Sequence, residues 1–387
     1  MLKEIAGSLK GPSYVLDVNR FNKRIDMVRN KLSDGIGLVF SIKANPFLTK
    51  YIPDTLKYIE VCSPGELTIC EKSGVDLSRV IFSGVNKTKE DVDRAMDDNV
   101  GIFTAESIKH ANLINEAAVK AGKVVPIILR LSCGNQFGMD KKDICKIIEN
   151  ATDYKGLDII GLHMYTGTQK KKSSIIEKEL GTLGEFIDEL KEKYGFNASH
   201  IEYGPGIATD YFSEDSEEKD IAMLDEVSSI INEFAKKYPV TIEMGRFLAC
   251  TCGTYLTTVM DTKLIEDINY CICDGGVHQV KYFGQTMAMQ VPHIDVFKPV
   301  DDVDRDWSVC GSLCTTADVL VRKCTLKGVG EGSVLAFDKV GAYSICEGIA
   351  LFLSRELPAV YIIDKDNNVI EARDIIYISN YNMEVDR

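Results

Sequence analysis

Lys43 stands in Phe40-Ser41-Ile42-Lys43-Ala44-Asn45-Pro46, at the end of an apolar run that begins at Ile36. A lysine held among apolar neighbours loses part of its preference for the ammonium form and becomes an amine nucleophile near neutral pH, which suits Schiff-base chemistry. The competing reading is an ordinary strand-end lysine whose stem is covered and whose charged head reaches water. Glu243 lies in Val240-Thr241-Ile242-Glu243-Met244-Gly245-Arg246, and a carboxylate inside an apolar strand needs a partner. A pyridinium nitrogen is one such partner; Arg246 or Arg130 is the structural alternative. Gly204-Pro205-Gly206 removes side chains where backbone N–H groups can approach a phosphate, with Arg246 as countercharge, although the same triplet also makes a plain turn.

Apolar, β-branched runs occur at 37–44, 58–63, 80–84, 101–105, 125–132, 157–167, 200–206 and 240–248. Segments of helical period lie between most of them, at 65–74, 87–98, 107–122, 141–151, 173–193 and 222–237. This alternation predicts an α/β fold, a (β/α)8 TIM-like barrel, with a doubly wound open sheet as the alternative because the first helix after Lys43 is short. After residue 248 strand-like runs follow one another at 255–260, 269–273, 308–310, 319–324, 333–337 and 360–364. They predict a C-terminal antiparallel β domain with one helix at 342–353 and an acidic loop at 295–306. The expected division is a barrel at 15–250 and a β domain at 251–387 joined by residues 1–14.

Chemistry in such a barrel gathers at the C-terminal ends of the strands. Lys43 and Asn45, Ser63 and Glu66, Arg130, His163, Tyr165 and Thr168, Gly204 and Gly206, and Glu243 with Gly245 and Arg246 all fall there. A lysine for a Schiff base, a phosphate cradle and an acid for a ring nitrogen are the requirements of pyridoxal 5'-phosphate.

The 387 residues carry a net charge of −13, which argues against nucleic acid and anionic membrane as partners. Residues 1–12 lack the apolar stretch of a signal peptide, and no run approaches the roughly 20 apolar residues of a membrane span. The expectation is a cytoplasmic protein whose twelve cysteines are mostly buried thiols. Cys250 and Cys252, and Cys271 and Cys273, are CxC pairs at strand-like spacing with no histidines beside them in the sequence, so no metal site is expected.

These motifs resemble the fold-type III pyridoxal-phosphate decarboxylases (group IV) that act on ornithine, diaminopimelate and arginine. Lys43-Ala44-Asn45 is similar to the family's Lys-Ala-Asn, and the second-strand stretch Glu60-Val61-Cys62-Ser63-Pro64-Gly65-Glu66 to its Asp-x-x-Ser-x-Gly-Glu. Gly204-Pro205-Gly206 is similar to its glycine triplet, and Glu243-Met244-Gly245-Arg246 to its Glu-Pro-Gly-Arg. Cys310-Gly311-Ser312-Leu313-Cys314 resembles the motif that carries a cysteine across a dimer interface, and Gly341-Ala342-Tyr343 the one whose tyrosine reaches the cofactor phosphate. The resemblance implies an alanine racemase-like fold and a homodimer with shared active sites. It implies decarboxylation of a small-molecule amino acid through an external aldimine and quinonoid, with Lys43 and Cys314 catalytic. Arg130, His163, Tyr165, Gly204, Gly206, Glu243, Gly245, Arg246 and Tyr343 would then surround the cofactor.

Departures mark the substrate side. Tyr165 replaces the ring-stacking histidine of relatives, and an aromatic face serves equally. His163 shares its side of the strand and is either a partner of the site or a packed histidine. Thr315 stands where ornithine enzymes carry Asp and diaminopimelate enzymes Glu. Asp274-Gly275-Gly276-Val277-His278 replaces an Arg-Pro pair, so Thr315, Asp274 and His278 are the substrate-binding candidates, with Asp274 equally able to close a turn. These stretches look closest to the siderophore and antibiotic subgroup, some of whose members act on conjugated or carrier-bound amino acids. Polyamine, lysine and secondary-metabolite biosynthesis are the settings implied. Two alternatives stand: a racemase on the same fold, and a catalytically inactive regulator.

Overall fold

The run that ends just before Lys43 is buried along its whole length, and in the computed structural model it is the first stave of a closed barrel. The structure describes residues 1–384. It begins with α1 (Leu2–Gly7), β1 (Ser13–Asp17) and α2 (Val18–Arg29). The barrel follows as β2 (Gly37–Ser41), β3 (Tyr58–Val61), β4 (Val80–Phe82), β5 (Ile102–Ala105), β6 (Val125–Arg130), β7 (Leu157–Tyr165), β8 (His200–Gly204) and β9 (Val240–Met244). Each strand pairs in parallel with the next, and β9 with β2, so the sheet has no edge and the open-sheet alternative does not apply. Interleaved are α3 (Pro64–Lys72), α4 (Lys89–Asp97), α5 (Ile108–Lys120), α6 (Lys141–Glu149), α7 (Ser173–Tyr194) and α8 (Ser216–Ala235).

Local sequence explains these boundaries. Ser63, Thr88, Ser107 and Asp140 each accept a hydrogen bond from a first-turn N–H and so start α3, α4, α5 and α6. After β2 no α-helix forms, because Asn45 precedes Pro46 and is held extended. Two 3-10 turns, Ile42–Ala44 and Pro46–Tyr51, take that place, and Lys43 rides on the first. Val39, Ile81, Ile102 and Ile128 pack together within the barrel wall.

The chain divides into two compact units. One comprises Ile25–Thr209 and Glu218–Phe247 and contains the barrel; the other comprises Met1–Arg24, Asp210–Glu217 and the chain from Leu248 onward. After the short α9 (Arg246–Ala249), the second unit builds β10 (Gly253–Ile265), β11 (Ile268–Cys273), β12 (Ile294–Phe297), β13 (Asp304–Cys310), β14 (Val319–Lys327), β15 (Val334–Phe337), β16 (Ala359–Ile363) and β17 (Val369–Arg373). The order is β14-β13-β11-β10-β1-β16-β17, with β15 joining β10 to β12. Pairing is antiparallel except for β1 with β16 and β11 with β13, so the sheet is mixed. The N-terminal β1 lies between β10 and β16, and α1 seals Ile5 and Ala6 against Val15, Leu256 and Val334.

Two expectations need correction. The predicted helix at 342–353 is a series of turns ending in a 3-10 turn at Phe352–Ser354. Tyr343, Leu353 and Ser354 have positive φ, which no right-handed helix accommodates. The segment is held from outside instead, as Ser344 Oγ donates to the Lys281 carbonyl and accepts from the Lys281 N–H. The predicted loop at 295–306 is strand at both ends, where β12 enters it and β13 begins inside it, and loop only at 298–303.

Candidate active site

Strand register brings polar residues of β2, β3 and β6 to β9 together. Ser41 lies opposite Glu60, Arg130 opposite His163, His163 opposite Glu202, and Tyr165 opposite Gly204. Lys43 Nζ stands 2.7 Å from Glu60 Oε2, 3.4 Å from Glu243 Oε1 and 3.6 Å from Cys62 Sγ. Its surroundings are therefore two carboxylates rather than the apolar neighbours its sequence suggests. Glu60 and Glu243 are both buried, while the Lys43 side chain keeps about a third of its surface, 34%, exposed.

Glu243 accepts from Ser41 Oγ at 2.7 Å, and its other oxygen lies 3.1 Å from His163 Nε2. Burial alone disfavours its ionisation, yet the Lys43 ammonium and His163 outweigh it and hold the carboxyl well below the usual range. His163 is thus a buried partner of Glu243. Arg130, one of the partners considered for Glu243, instead pairs with Glu106 at 2.9 Å.

Tyr165 lies against Gly204: a methyl group at residue 204 would come within 2.5 Å of the tyrosine ring. Burial raises the Tyr165 hydroxyl, and the charges of Glu243, Lys43 and Arg246 also act on it, so the ring belongs to the same site. Gly206 has φ +58°, and a Cβ there would stand 2.0 Å from the Gly167 carbonyl oxygen. Only glycine fits. The loops after β7 and β8 are locked by Lys170 N–H donating to the Gly206 carbonyl and by Glu179, which accepts from Thr166, Lys170 and Tyr203. Gly245 packs on the Lys43 turn, where a Cβ would meet that of Ala44 at 3.1 Å, and buried Arg246 opens α9 directly after it.

Ser63 and Glu66 cap α3. Ser63 Oγ accepts from Glu66 N–H, and Glu66 Oε2 accepts from Cys62 N–H. Glu202, Glu106 and Lys87 were missed by reading the sequence, and Glu60 was noticed only as part of a motif. Glu60 and Glu202 share with Glu243 the one available signal, an acid inside an apolar strand. Lys87 is buried, donates to the Gly84 carbonyl at 2.6 Å and is pushed down to about 8 by that burial.

In the other unit, Cys314 and Thr315 are exposed on the loop between β13 and β14. Asp318 holds this loop, accepting from Leu313 N–H and, across from it, Val277 N–H. Gly311 packs so closely on Gly276 that a Cβ would stand 2.4 Å from the Gly276 Cα. Asp274 Oδ1 accepts from Thr257 Oγ1 and Thr258 N–H, bonds that tie it across to β10 rather than closing a turn with Gly275 and Gly276. His278 is buried, which pushes its imidazole down, and Tyr343 occupies a left-handed turn after Gly341.

The donor set in the barrel fits pyridoxal phosphate: an amine, an ionised carboxylate, an aromatic face and a loop at Gly206 in which no side chain could stand. Among the described residues, no helix is long and apolar enough to cross a membrane.

Residues 18–250 match the family model described as pyridoxal-dependent decarboxylase, pyridoxal binding domain. The diaminopimelate decarboxylase of Aquifex aeolicus is 26% identical over 362 residues, spanning 88% of this chain and 84% of that one. The L-glutamyl-[BtrI acyl-carrier protein] decarboxylase of Niallia circulans is 26% identical over 374 residues, 90% of this chain and 87% of its own. Among solved structures, a diaminopimelate decarboxylase from M. jannaschii superposes with a TM-score of 0.86 at 23% identity, over 100% of this chain and 94% of that one.

Proposed function

The chain belongs to the pyridoxal-dependent decarboxylases, and on that premise we propose that Lys43 is its cofactor-bearing amine, Glu243 the acid at the cofactor ring nitrogen, and its substrate an amino acid with no free amine at the far end. It is an enzyme that removes the carboxylate of an amino acid with pyridoxal 5'-phosphate as cofactor. When bound, that cofactor supplies an aldehyde that condenses with amines and a ring that accepts the electron pair left by departing carbon dioxide.

The residues divide the remaining work. Lys43 would hold the cofactor through its amine and give up that place to the amine of the substrate. Glu243, held ionised by Lys43 and His163, keeps a proton on the ring nitrogen, which maximises the electron sink and favours decarboxylation over racemisation. Tyr165 would cover a ring face, and Arg246 with the N–H groups around Gly204 and Gly206 would take the phosphate. Arg130, fixed by Glu106, and Gly245, against the Lys43 turn, complete the cofactor wall. Cys314 or Lys43 would deliver the one proton that Cα needs in place of the departing carboxylate.

The observation that carries the substrate reading is the commitment of the acids near Cys314. Both oxygens of Asp318 and Oδ1 of Asp274 accept from backbone N–H groups, and Thr315 is uncharged, so these acids are held by the fold before any substrate arrives. His278 and Thr315 would face a neutral far end, as in an amino acid joined to a carrier through its side-chain carboxyl; a relative acts on an L-glutamyl acyl-carrier protein. Free diaminopimelate is the second reading, favoured by the relatives that decarboxylate it.

Exposed Cys314 supports a homodimer in which each β domain completes the partner's barrel. The free thiols, twelve of them, support a reducing compartment, the cytoplasm. Carbon dioxide release from glutamate on a carrier protein, meso-diaminopimelate, lysine, ornithine and arginine tests the substrate. Turnover of meso-diaminopimelate alone would replace the first reading with the second. Mixing Lys43→Ala with Cys314→Ala chains tests the dimer: a shared site restores about a quarter of the activity, one intact site in a mixed pair, and no recovery refutes it.

A further inference from the structure

The barrel interior holds more acid than its nearby cation can balance. Glu60, Glu202 and Glu243 come from β3, β8 and β9, all buried, and the Lys43 ammonium is shared by Glu60 and Glu243. One donor atom each from His163, Glu202 and Glu243 lies within 4.8 Å of the other two. Two carboxylates so close in a dry site do not both ionise without a countercharge.

The hydrogen bonds decide which of them keeps a proton. Glu60 has Lys43 at 2.7 Å and the Cys62 thiol at 3.3 Å. Glu243 has Ser41, Lys43 and His163. Glu202 has only His200 Nε2 at 3.5 Å, and its Oε1 has no partner among the described residues. His200 offers no charge, since burial pushes its imidazole down to about 4. The titratable groups that bear on Glu202 are His200 on its own strand, His163 on β7, Glu243 on β9, Glu60 on β3 and Lys43 after β2.

We propose that Glu202 is a positioning residue, the neutral acid of a two-carboxyl pair, which stays protonated so that Glu243 stands as the single anion facing the ring nitrogen. Its environment agrees: burial pushes the carboxyl up to about 8, with Glu243 and Glu60 adding to the rise and His163 and Lys43 opposing it. Ionisation of Glu202 in mild alkali places a second negative charge behind Glu243 and changes how firmly the ring is held. The proposal rests on the assignment of Glu243 to the cofactor ring, but the proton on Glu202 does not.

The test therefore begins with the cofactor-free protein. Infrared difference spectra should show one protonated carboxyl at pH 7 that is absent in Glu202→Gln and that bleaches in the unsubstituted chain above about pH 8. No such band, or one unaffected by the substitution, overturns the proposal. If Glu202→Gln does not fold, carboxyl-13C glutamate NMR on the unsubstituted chain reads the same titration: a buried glutamate titrating near 8 supports it, and none overturns it. The second arm measures the dissociation constant of pyridoxal phosphate. Its change between pH 7 and 9.5 should differ severalfold between the unsubstituted protein and Glu202→Gln, whose amide imitates the protonated acid and leaves only the change that Lys43 and the cofactor bring to both. An equal change in both refutes the positioning role. Absence of cofactor binding alongside an intact band would sink the reading of Glu243 and leave the protonated Glu202 standing.

Discussion

Glu60 Oε2 lies 2.7 Å from Lys43 Nζ, nearer than Glu243 Oε1 at 3.4 Å. The amine that must become a nucleophile is thus clamped as an ammonium between two carboxylates, and Glu60 is the closer clamp. Coulomb attraction at this distance in a partly dry site is substantial. Glu60→Gln should let Lys43 release its proton more readily and speed loading of pyridoxal phosphate at pH 7 about tenfold, the equivalent of one pKa unit. Growth of the visible band of lysine-bound cofactor in stopped flow measures this, with Lys43→Ala as the blank. An unchanged loading rate would show that Glu60 does not restrain the amine.

Tyr165 tests whether the site needs a hydroxyl or a ring. Its aromatic body lies on Gly204. Tyr165→Phe should keep cofactor affinity within about twofold, whereas Tyr165→Ala should weaken it about tenfold, the scale of one aromatic stack. Equilibrium binding of pyridoxal phosphate followed by fluorescence separates the two. Equal losses would assign the work to the hydroxyl.

Much of this arrangement is legible in the amino-acid sequence. Buried parallel strands are uninterrupted apolar runs, so β2 to β9 stand out, and a lysine or glutamate set into such a run is conspicuous, as Lys43 and Glu243 are. What spacing cannot supply is register. That Glu60 faces Lys43, that His163 rather than Arg130 meets Glu243, and that Glu202 comes near it, depends on pairings between strands far apart in the chain. The turns at 342–353 imitate a helix because their apolar residues fall at helical intervals, while the left-handed Tyr343 and the grip of Lys281 on Ser344 are tertiary facts.

Thr315 is the position where substrate choice should respond to one substitution. The residue is exposed beside Cys314, and the loop beneath it is fixed by Asp318. Thr315→Asp adds an acceptor for a distal ammonium, and a hydrogen bond to a charged group is worth about 1.5–3 kcal/mol. Turnover of ornithine, as kcat/KM, should therefore rise about tenfold or more, while a carrier-bound substrate declines. If ornithine turnover does not move, the far end of the substrate lies elsewhere.

Acid stability should fall in two steps with separable owners. His200 is buried against Tyr58 near Lys57, and its imidazole is pushed down to about 4. The unfolded chain binds a proton there below about pH 6.5, but the folded chain does not until about 4. Stability from this group is therefore complete above 6.5 and lost progressively down to 4, by at most about 3 kcal/mol at 1.4 kcal/mol per unit. Glu243 runs the same way lower down: its folded carboxyl sits well below 4.5, so its contribution is present above that value and is lost as the pH falls further. Thermal unfolding across pH 3–7 should show His200→Gln removing its share of the upper step, which His110 shares and the protonated Glu202 opposes, with the lower step unmoved. A variant whose Tm still drops between pH 6.5 and 4.5 as steeply as the unsubstituted protein would pass that step to His110, which burial likewise pushes down to about 4.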